Sequence, residues 1–389
     1  MTTSTRQIFP DRLRGIALLG IVLVNAPYLG ISANGYTAES VQGQTDAIAA
    51  FAAIALAQSK FYLLFSFLFG YSSQFIMRTN SDADRRRFRR RLLALGVIGL
   101  IHATFLFVGD ILVTYAVLGV GLLLLNGCSN RAVKRWAIGS AVSSVALAAC
   151  FAAITVAIPT VITDDPPIAN LDVAMHSGTF LDVASARLGA LPSVWIVTLV
   201  LQGTMAFAAF CLGLLAARRQ LLADPSAISW LRWAILGLAI GLPLQIVAAL
   251  IEMNGISNSD AVLSTLGVLF GAATSPLLSA GYLASIGWLL SRYSGFLRFA
   301  QTPGRMSLSI YIAESIILSF LYCGYGLGYF GSWGAAWVLA SGVATYIGLE
   351  LLAKVWLSWK RQGPLEWLVA AWTRWDGIRE ASESPADAN

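Results

Sequence analysis

Long apolar runs separated by short polar stretches dominate the pattern of this 389-residue chain. A helix of about 20 apolar residues is long enough to cross the roughly 30 Å hydrocarbon core of a bilayer. The runs of that kind are residues 13–31, 55–77, 92–109, 111–126, 134–159, 191–217, 229–252, 262–290, 305–322 and 333–357. The pattern therefore predicts an all-α fold, a polytopic transmembrane helical bundle of about ten spans.

The segments outside these spans predict further features. Residues 161–190 form the longest predicted outer loop, in which His176 is expected to be solvated. From Gly363-Pro364 onward, apolar and polar positions separate at helical spacing, which predicts a C-terminal amphipathic helix on the cytoplasmic surface. Its apolar face holds Leu365, Leu368, Trp372 and Trp375, and its polar face holds Glu366, Arg374 and Asp376. We expect a single transmembrane domain over residues 1–379 and a disordered tail over 380–389.

Charge predicts the orientation of the bundle. Only 12% of the residues are charged, whereas about 25% would be charged in a soluble domain. The 26 lysines and arginines cluster before the first predicted span, between the second and third, and after the fourth, sixth, eighth and tenth. Only Lys60 and Arg187 fall elsewhere. By the positive-inside rule both termini are cytoplasmic, so the net charge of +6 reflects topology and not nucleic-acid binding.

Several chemistries are disfavoured by the absence of their sequence motifs. The four cysteines are scattered singly, which argues against a disulfide framework or a zinc site. The chain has no P-loop, GxGxxG, HExxH or GxSxG motif in a supporting context, so nucleotide hydrolysis and zinc chemistry are not expected. We predict no metal site.

Three polar residues are predicted to lie deep in the bilayer. Each follows a cytoplasmic arginine by nine to eleven residues on an apolar run, which places it roughly 13 to 17 Å deep. The pairs are Arg14 with Asn25, Arg91 with His102, and Arg305 with Glu314. Polar and ionisable groups at this depth are costly and predict function, and imidazole exchanges protons near neutral pH. The structural alternatives are a packed histidine bonded to a backbone carbonyl and an asparagine that bridges helices.

Lys60 and Asp110 have positions that the sequence leaves open. Lys60 lies near the midplane if the second span is one long tilted helix from residue 47, or at the outer boundary if an interfacial helix ends near residue 58. Asp110 lies at the outer rim, where it can cap the fourth span. It follows His102 by eight residues, about 12 Å along a continuous helix, so the two meet only through water or if the turn folds back.

Five segments, spread over nearly the whole sequence, form an ordered set of motifs. They are DRLRGIALLGIVLVN at 11–25, KFYLLFSFLFG at 60–70, LIH at 100–102 with GDILVTY at 109–115, PGRMSLSIY at 303–311, and GPLEW at 363–367. In residues and in order these segments resemble the motifs of the YeiB-like family of bacterial multi-pass membrane proteins. Glu314 departs from the family pattern, in which glutamine is expected at this position.

The resemblance implies a reaction class. The family is similar in fold to the transmembrane acyltransferase superfamily, which includes heparan-alpha-glucosaminide N-acetyltransferase. Those enzymes take acyl-CoA from the cytoplasm and acylate a sugar-type acceptor on the far side, using an essential histidine. That histidine does not carry over by motif to a position in this chain. The resemblance further implies a bacterial cytoplasmic membrane location, with the lipid bilayer, acyl-CoA and a small-molecule or glycan acceptor as partners. Homo-oligomerisation is left open.

The leading hypothesis is acyl transfer across the membrane from acyl-CoA, with acetyl-CoA as the expected cosubstrate. His102 would act as general base on the acceptor or carry the acyl group as a nucleophile. Asp110 or Glu314 would orient the imidazole, and Asn25 or Lys60 would stabilise the oxyanion. The CoA phosphates would bind Arg14, Arg91 and Arg305. The alternatives are a proton-coupled transporter that uses His102, Glu314 and Lys60 as a relay, and a non-catalytic membrane scaffold.

Overall fold

A computed structural model describes residues 8–163, 166–223, 228–293 and 295–374, and within these ranges the regular structure is entirely helical. The helices are α1 Ile8–Gly30, α2 Gln44–Leu56, α3 Phe61–Ile76, α4 Asp82–Phe105, α5 Leu112–Leu125, α6 Asn130–Ala157, α7 Thr160–Thr163, α8 Pro166–Ser177, α9 Phe180–Val197, α10 Gly203–Arg218, α11 Trp230–Ser257, α12 Ala261–Arg292, α13 Arg298–Arg305, α14 Ser307–Tyr322, α15 Ala335–Trp359 and α16 Pro364–Thr373. A short 3-10 helix precedes α2, and a five-residue π-helical turn, Thr198–Gln202, joins α9 to α10.

Seven helical segments of the described chain are long and apolar enough to cross a membrane. They are α1, α2 with α3, α6, α9 with α10, α11, α12 and α15. Taken together, α13 and α14 are also long and apolar enough to form an eighth segment, although the two helices meet at 88°. The all-α prediction is thus confirmed and the candidate spans support a multi-pass protein, whereas the count of ten is not confirmed. The shortfall lies at α4, whose first half is rich in arginine, and at α5, which has only 14 residues.

The second predicted span, residues 55–77, is interrupted near its beginning. α2 ends at Leu56 and α3 begins at Phe61, and between them Ser59 adopts a left-handed backbone with φ of 63°. A separate helix thus ends near residue 58, but α2 and α3 together still form one candidate spanning segment, so the depth of Lys60 stays a prediction. Lys60 lies directly before α3 and donates from Nζ to the carbonyl of Ile54 at 2.7 Å, so its ammonium satisfies an orphan carbonyl at the end of α2.

The long outer loop predicted for residues 161–190 is wrong, because most of its described residues are helical. Pro166 begins α8, a position where proline costs no hydrogen bond. A capping box between Thr179 and Asp182 begins α9 at Phe180, eleven residues before the predicted span. His176 lies within α8 and is exposed, as expected.

Two of the sequence motifs meet where α1 crosses α13. A side chain at Gly15 would place its Cβ 1.8 Å from the carbonyl oxygen of Ala300, and one at Gly304 would place it 1.7 Å from the carbonyl oxygen of Asp11. Only glycine allows the two backbones to approach this closely. α1 also packs against α3, α14 and α15, so it lies at the centre of the helices that carry the candidate site.

The C-terminal helix α16 is attached to the bundle by Glu366. Its carboxylate accepts hydrogen bonds from the backbone amides of Leu308 and Ser309 and from the Ser309 hydroxyl, at 2.7, 3.2 and 2.6 Å. These contacts cap the N-terminus of α14. Trp367, Leu368 and Trp372 are half exposed on the same helix, and the position of α16 at a membrane surface stays a prediction. Trp375, Asp376 and the predicted tail 380–389 lie outside the described residues.

Candidate functional site

His102 and Asp110 are in direct contact because the chain reverses between them. α4 ends at Phe105, and α5 begins at Leu112 after a tight turn. His102 Nδ1 lies 2.8 Å from one carboxylate oxygen of Asp110, and the other accepts the backbone N–H of Val113 at 2.9 Å. Asp110 therefore does both things that the sequence left as alternatives: it caps α5 and it orients the imidazole.

The second ring nitrogen of His102 faces a residue that the sequence did not suggest. Ser315 Oγ on α14 lies 2.8 Å from His102 Nε2. In the tautomer whose Nδ1–H donates to the Asp110 carboxylate, Nε2 keeps its lone pair and accepts a hydrogen bond from the Ser315 hydroxyl. All three side chains are almost completely buried. This Asp–His–Ser cluster has the connectivity of an oriented general base with a hydroxyl at its reactive nitrogen.

Two cavities approach the cluster from opposite ends of the bundle. The arginine-side cavity, of about 310 Å³, is lined by Arg87 and Arg91 together with residues of α1, α3, α5, α14 and α16. The outer cavity, of about 390 Å³, extends toward the turns at Asn34, Gln58 and Ser59. Four side chains line both cavities: Ile21, Ile111, Tyr115 and Tyr311. We call these four residues the shared wall.

The Asp–His–Ser cluster lies directly behind the shared wall. The rings of His102 and Tyr311 have centroids 4.8 Å apart, Asp110 precedes Ile111 in the chain, and Ser315 follows Tyr311 by one helical turn. Tyr115 is held in place because its hydroxyl bonds Ser66 at 2.7 Å and the Tyr62 carbonyl at 3.0 Å. A movement of Tyr311 would therefore connect His102 with either cavity.

The three predicted phosphate-binding arginines have different surroundings. Arg91 lines the arginine-side cavity, and Arg87, one turn earlier on α4, lines it as well. Arg14 instead forms a 3.0 Å ion pair with Asp11 and bonds the Ser72 hydroxyl. Arg305 donates to the carbonyl of Arg361 at 3.3 Å. Only Arg91 of the predicted three thus lines this cavity.

The structure does not bring the remaining predicted site residues, Asn25, Lys60 and Glu314, together at the Asp–His–Ser cluster. Asn25 lines the outer cavity one helical turn beyond Ile21. Lys60 lines neither cavity and bonds the Ile54 carbonyl. Glu314 is buried, and its Oε1 has no hydrogen-bond partner among the described residues. Because consecutive helical residues differ by about 100° in direction, Glu314 projects away from the side on which its neighbour Ser315 contacts the imidazole.

Arg187 supports the cluster from the outer side. This fully buried guanidinium on α9 donates to the carbonyl of Phe105, at the end of α4, at 2.6 Å, and to Ser319 Oγ on α14 at 3.0 Å. Phe105 and Ser319 each lie about one turn beyond His102 and Ser315 on their helices. Arg187 therefore holds in register the two helices that carry the base and the serine, and its isolation from the other basic residues was the only sequence signal for it.

The described fold and this site define a class: an all-helical protein with at least seven candidate membrane spans and an Asp–His–Ser cluster between two opposed cavities. Residues 216–376 match a family described as "Protein of unknown function (DUF418)". The chain is 28% identical to the uncharacterized protein YxaH of Bacillus subtilis, covering 96% of each, and 24% identical to the uncharacterized protein YeiB of Escherichia coli, covering 93% of this chain and 95% of that protein.

A third relative matches a shorter part of the chain. An uncharacterized 39.9 kDa protein of Bacillus acidopullulyticus is 40% identical over 119 residues, which cover 30% of this chain and 32% of that protein. No solved structure matches the chain. Together these similarities support a relationship to the YeiB-like family.

Proposed function

We propose that this protein is an integral acyltransferase of the bacterial cytoplasmic membrane. It moves an acyl group, with acetyl as the simplest case, from acyl-CoA in the arginine-side cavity to a hydroxyl or amine acceptor in the outer cavity. The observation that carries this proposal is the shared wall, because two cavities from opposite ends meet at the side chains that cover an oriented histidine. A scaffold protein has no need for either feature.

The arginine-side cavity suits an acyl-CoA. Arg87 and Arg91 in its lining offer guanidinium groups, which bind phosphate through charge-assisted hydrogen bonds. Its inner lining is apolar and aromatic, with Leu18, Phe65 and Phe69, which suits a thioester arm with few charges. The thioester would then lie at the shared wall, beside Tyr311.

The outer cavity suits the acceptor. Its lining combines aromatic side chains with neutral hydrogen-bonding groups, among them Asn25, Ser193 and Gln202. The acceptor's hydroxyl or amine would replace the Ser315 hydroxyl as the partner of His102 Nε2 once Tyr311 moves aside. Asn25, one turn from Ile21, is the neutral donor best placed to stabilise a developing oxyanion.

The proposed reaction is a direct transfer. His102 Nε2 takes the acceptor proton as the acceptor atom attacks the thioester carbonyl. The carbon–sulfur bond then breaks, and the leaving sulfur takes the same proton back from the imidazolium as the free thiol forms. Asp110 remains ionised and stabilises the cation, as carboxylates do in such arrangements. Lys60 and Glu314 line neither cavity and have no direct role in this step.

The test uses the purified full-length protein and acetyl-CoA radiolabelled in the acetyl group. A mixture of polar metabolites serves as the source of acceptor, and both label transfer and release of free CoA thiol are measured. We expect His102→Ala to lose roughly 10²- to 10⁴-fold in rate, the usual contribution of a positioned base. His176→Ala is the matched control, because this second histidine is exposed on α8.

Failure of the wild-type protein to bind or turn over any acyl-CoA would contradict the proposal. Substrate flux in proteoliposomes that follows a pH gradient, without covalent change to the substrate, would support the proton-coupled transporter instead.

A further inference from the structure

A small polar chamber adjoins the outer cavity on the side away from the Asp–His–Ser cluster. It holds about 50 Å³ of space and shares five lining residues with the outer cavity, namely Val24, Tyr28, Asn34, Gln58 and Val268. The chamber adds Glu252 and Tyr36 to the lining. The chamber and the outer cavity are therefore adjacent and share part of their walls.

Glu252 is built into this chamber by close helix packing. α11 and α12 approach at Gly267, where a Cβ would lie 2.5 Å from the backbone nitrogen of Glu252. The carboxylate is 95% buried in consequence, and Gln58 Nε2 lies 3.0 and 2.9 Å from its two oxygens. Lys60, the nearest basic residue in sequence to Gln58, directs its ammonium to the Ile54 carbonyl and acts on Glu252 only through space. No salt bridge joins Glu252 to a basic side chain within the described ranges.

The groups around Glu252 are suited to binding an organic cation. A carboxylate with a single amide donor keeps lone pairs free for a charged partner. Tyr28 and Tyr36 present aromatic rings at the same chamber, and the buried Tyr36 hydroxyl has no hydrogen-bond partner among the described residues. Cations are bound by aromatic faces combined with an anionic group. Glu252 is also the sole charged side chain in the described lining of the chamber and the outer cavity.

We propose that this chamber binds a positively charged amino or ammonium group of the acceptor. The acceptor's role rests on the proposed function, whereas the binding of the cation does not. Along α1, Tyr28 lies seven residues beyond Ile21 of the shared wall, which is about 10 Å on a helix. The acceptor class is therefore a molecule with a cationic amine at one end and a hydroxyl or amine about 10 Å away at the other.

The experiment compares two probes of equal shape in the absence of acyl-CoA. Choline carries a quaternary ammonium, and 3,3-dimethylbutan-1-ol is its neutral isostere. Binding to the purified full-length protein is measured from the concentration dependence of its unfolding temperature. We expect choline to bind about tenfold more tightly than the alcohol, since a cation on aromatic and anionic groups gains this much. Glu252→Gln should remove that preference.

The matched control is Glu350→Gln. Glu350 is likewise a buried glutamate in a long helix, α15, but it pairs with Lys354 and lines neither cavity nor the chamber. This variant should keep the wild-type preference for choline. Equal binding of the two probes by the wild-type protein would overturn the proposal, even if Glu252→Gln fails to fold. A preference for choline that survives Glu252→Gln would overturn it as well.

The outcomes separate this proposal from the proposed function. Choline binding that depends on Glu252, in a protein that never turns over acyl-CoA, would leave the chamber assigned and refute the acyltransferase. Acyl transfer to neutral acceptors, combined with equal binding of the two probes, would refute the chamber alone.

Discussion

The arginine-side cavity and the outer cavity are similar in size and opposite in the chemistry of their walls. The first has about 310 Å³, with two arginines and Glu366 in its lining. The second has about 390 Å³, and its described lining holds only neutral side chains, with one acidic chamber beside it. Two entrances of a single transport path would be expected to offer similar groups to one substrate. This asymmetry instead suits two different substrates, an anionic one and a neutral or cationic one, that meet at the shared wall.

Asp110→Asn tests the catalytic cluster behind the shared wall, where the two cavities meet. Asparagine can still accept the backbone N–H of Val113, so the cap of α5 should survive. It cannot stabilise the imidazolium, and we expect acyl transfer to fall by roughly 10³-fold or more, as in other oriented-histidine sites. Single-turnover transfer of labelled acetyl measures the loss.

Asp182→Asn is the control for this prediction, because Asp182 is also a helix-capping aspartate but lies in the exposed capping box of α9. A retained rate in Asp110→Asn would show that the carboxylate only caps a helix.

Arg91→Gln tests whether the two cavities bind different substrates. Loss of one charge-assisted bond to phosphate should raise the KM for acyl-CoA by about 10- to 100-fold. The KM for the acceptor should stay unchanged, because Arg91 lines only the arginine-side cavity. Steady-state kinetics with each substrate varied in turn separate the two constants.

Arg89→Gln removes an exposed arginine of the same helix that does not line the cavity, and it should leave both constants unchanged. An equal rise of the two KM values in Arg91→Gln would mean that the cavities are not specific for separate substrates.

Ser315→Ala should have the smallest effect. In a direct transfer the serine only occupies His102 Nε2 before the acceptor arrives, so its loss should change the rate by less than about tenfold, the effect of one neutral hydrogen bond. Rapid-quench kinetics and mass spectrometry of the intact protein provide the measurement. A loss as large as that of His102→Ala, together with an acylated wild-type Ser315, would replace direct transfer by a covalent mechanism.

Much of the fold was predictable because bilayer thickness and helical rise fix the length of a spanning run. The exception at residues 161–190 has a physical cause. Asp182 and Arg187 interrupt the apolar run and suggest a solvated loop, yet Asp182 caps α9 and Arg187 bonds the end of α4. In the sequence, a charged side chain that hydrogen-bonds a carbonyl, an amide or a hydroxyl of the fold cannot be distinguished from a solvated one.

The site was predictable only in part, for a related reason. The predicted depth of His102 in the bilayer identified it as a candidate, and a turn that folds back was one way for it to meet Asp110. Ser315 could not be selected, because it is one of several serines on α14 and only the rotation of that helix brings it to the imidazole. The same rotation of α14 points Glu314 away from the imidazole.

The proposed function requires vectorial transfer across the shared wall, which can be measured in sided proteoliposomes. Protein is incorporated in one orientation, polar metabolites are trapped on the side of the outer cavity, and radiolabelled acetyl-CoA is supplied on the side of Arg87 and Arg91. Vectorial transfer predicts that label accumulates in a non-CoA product on the trapped side, and that His102→Ala abolishes this accumulation. Labelled product on the side of the acetyl-CoA, or none on either side, would contradict it.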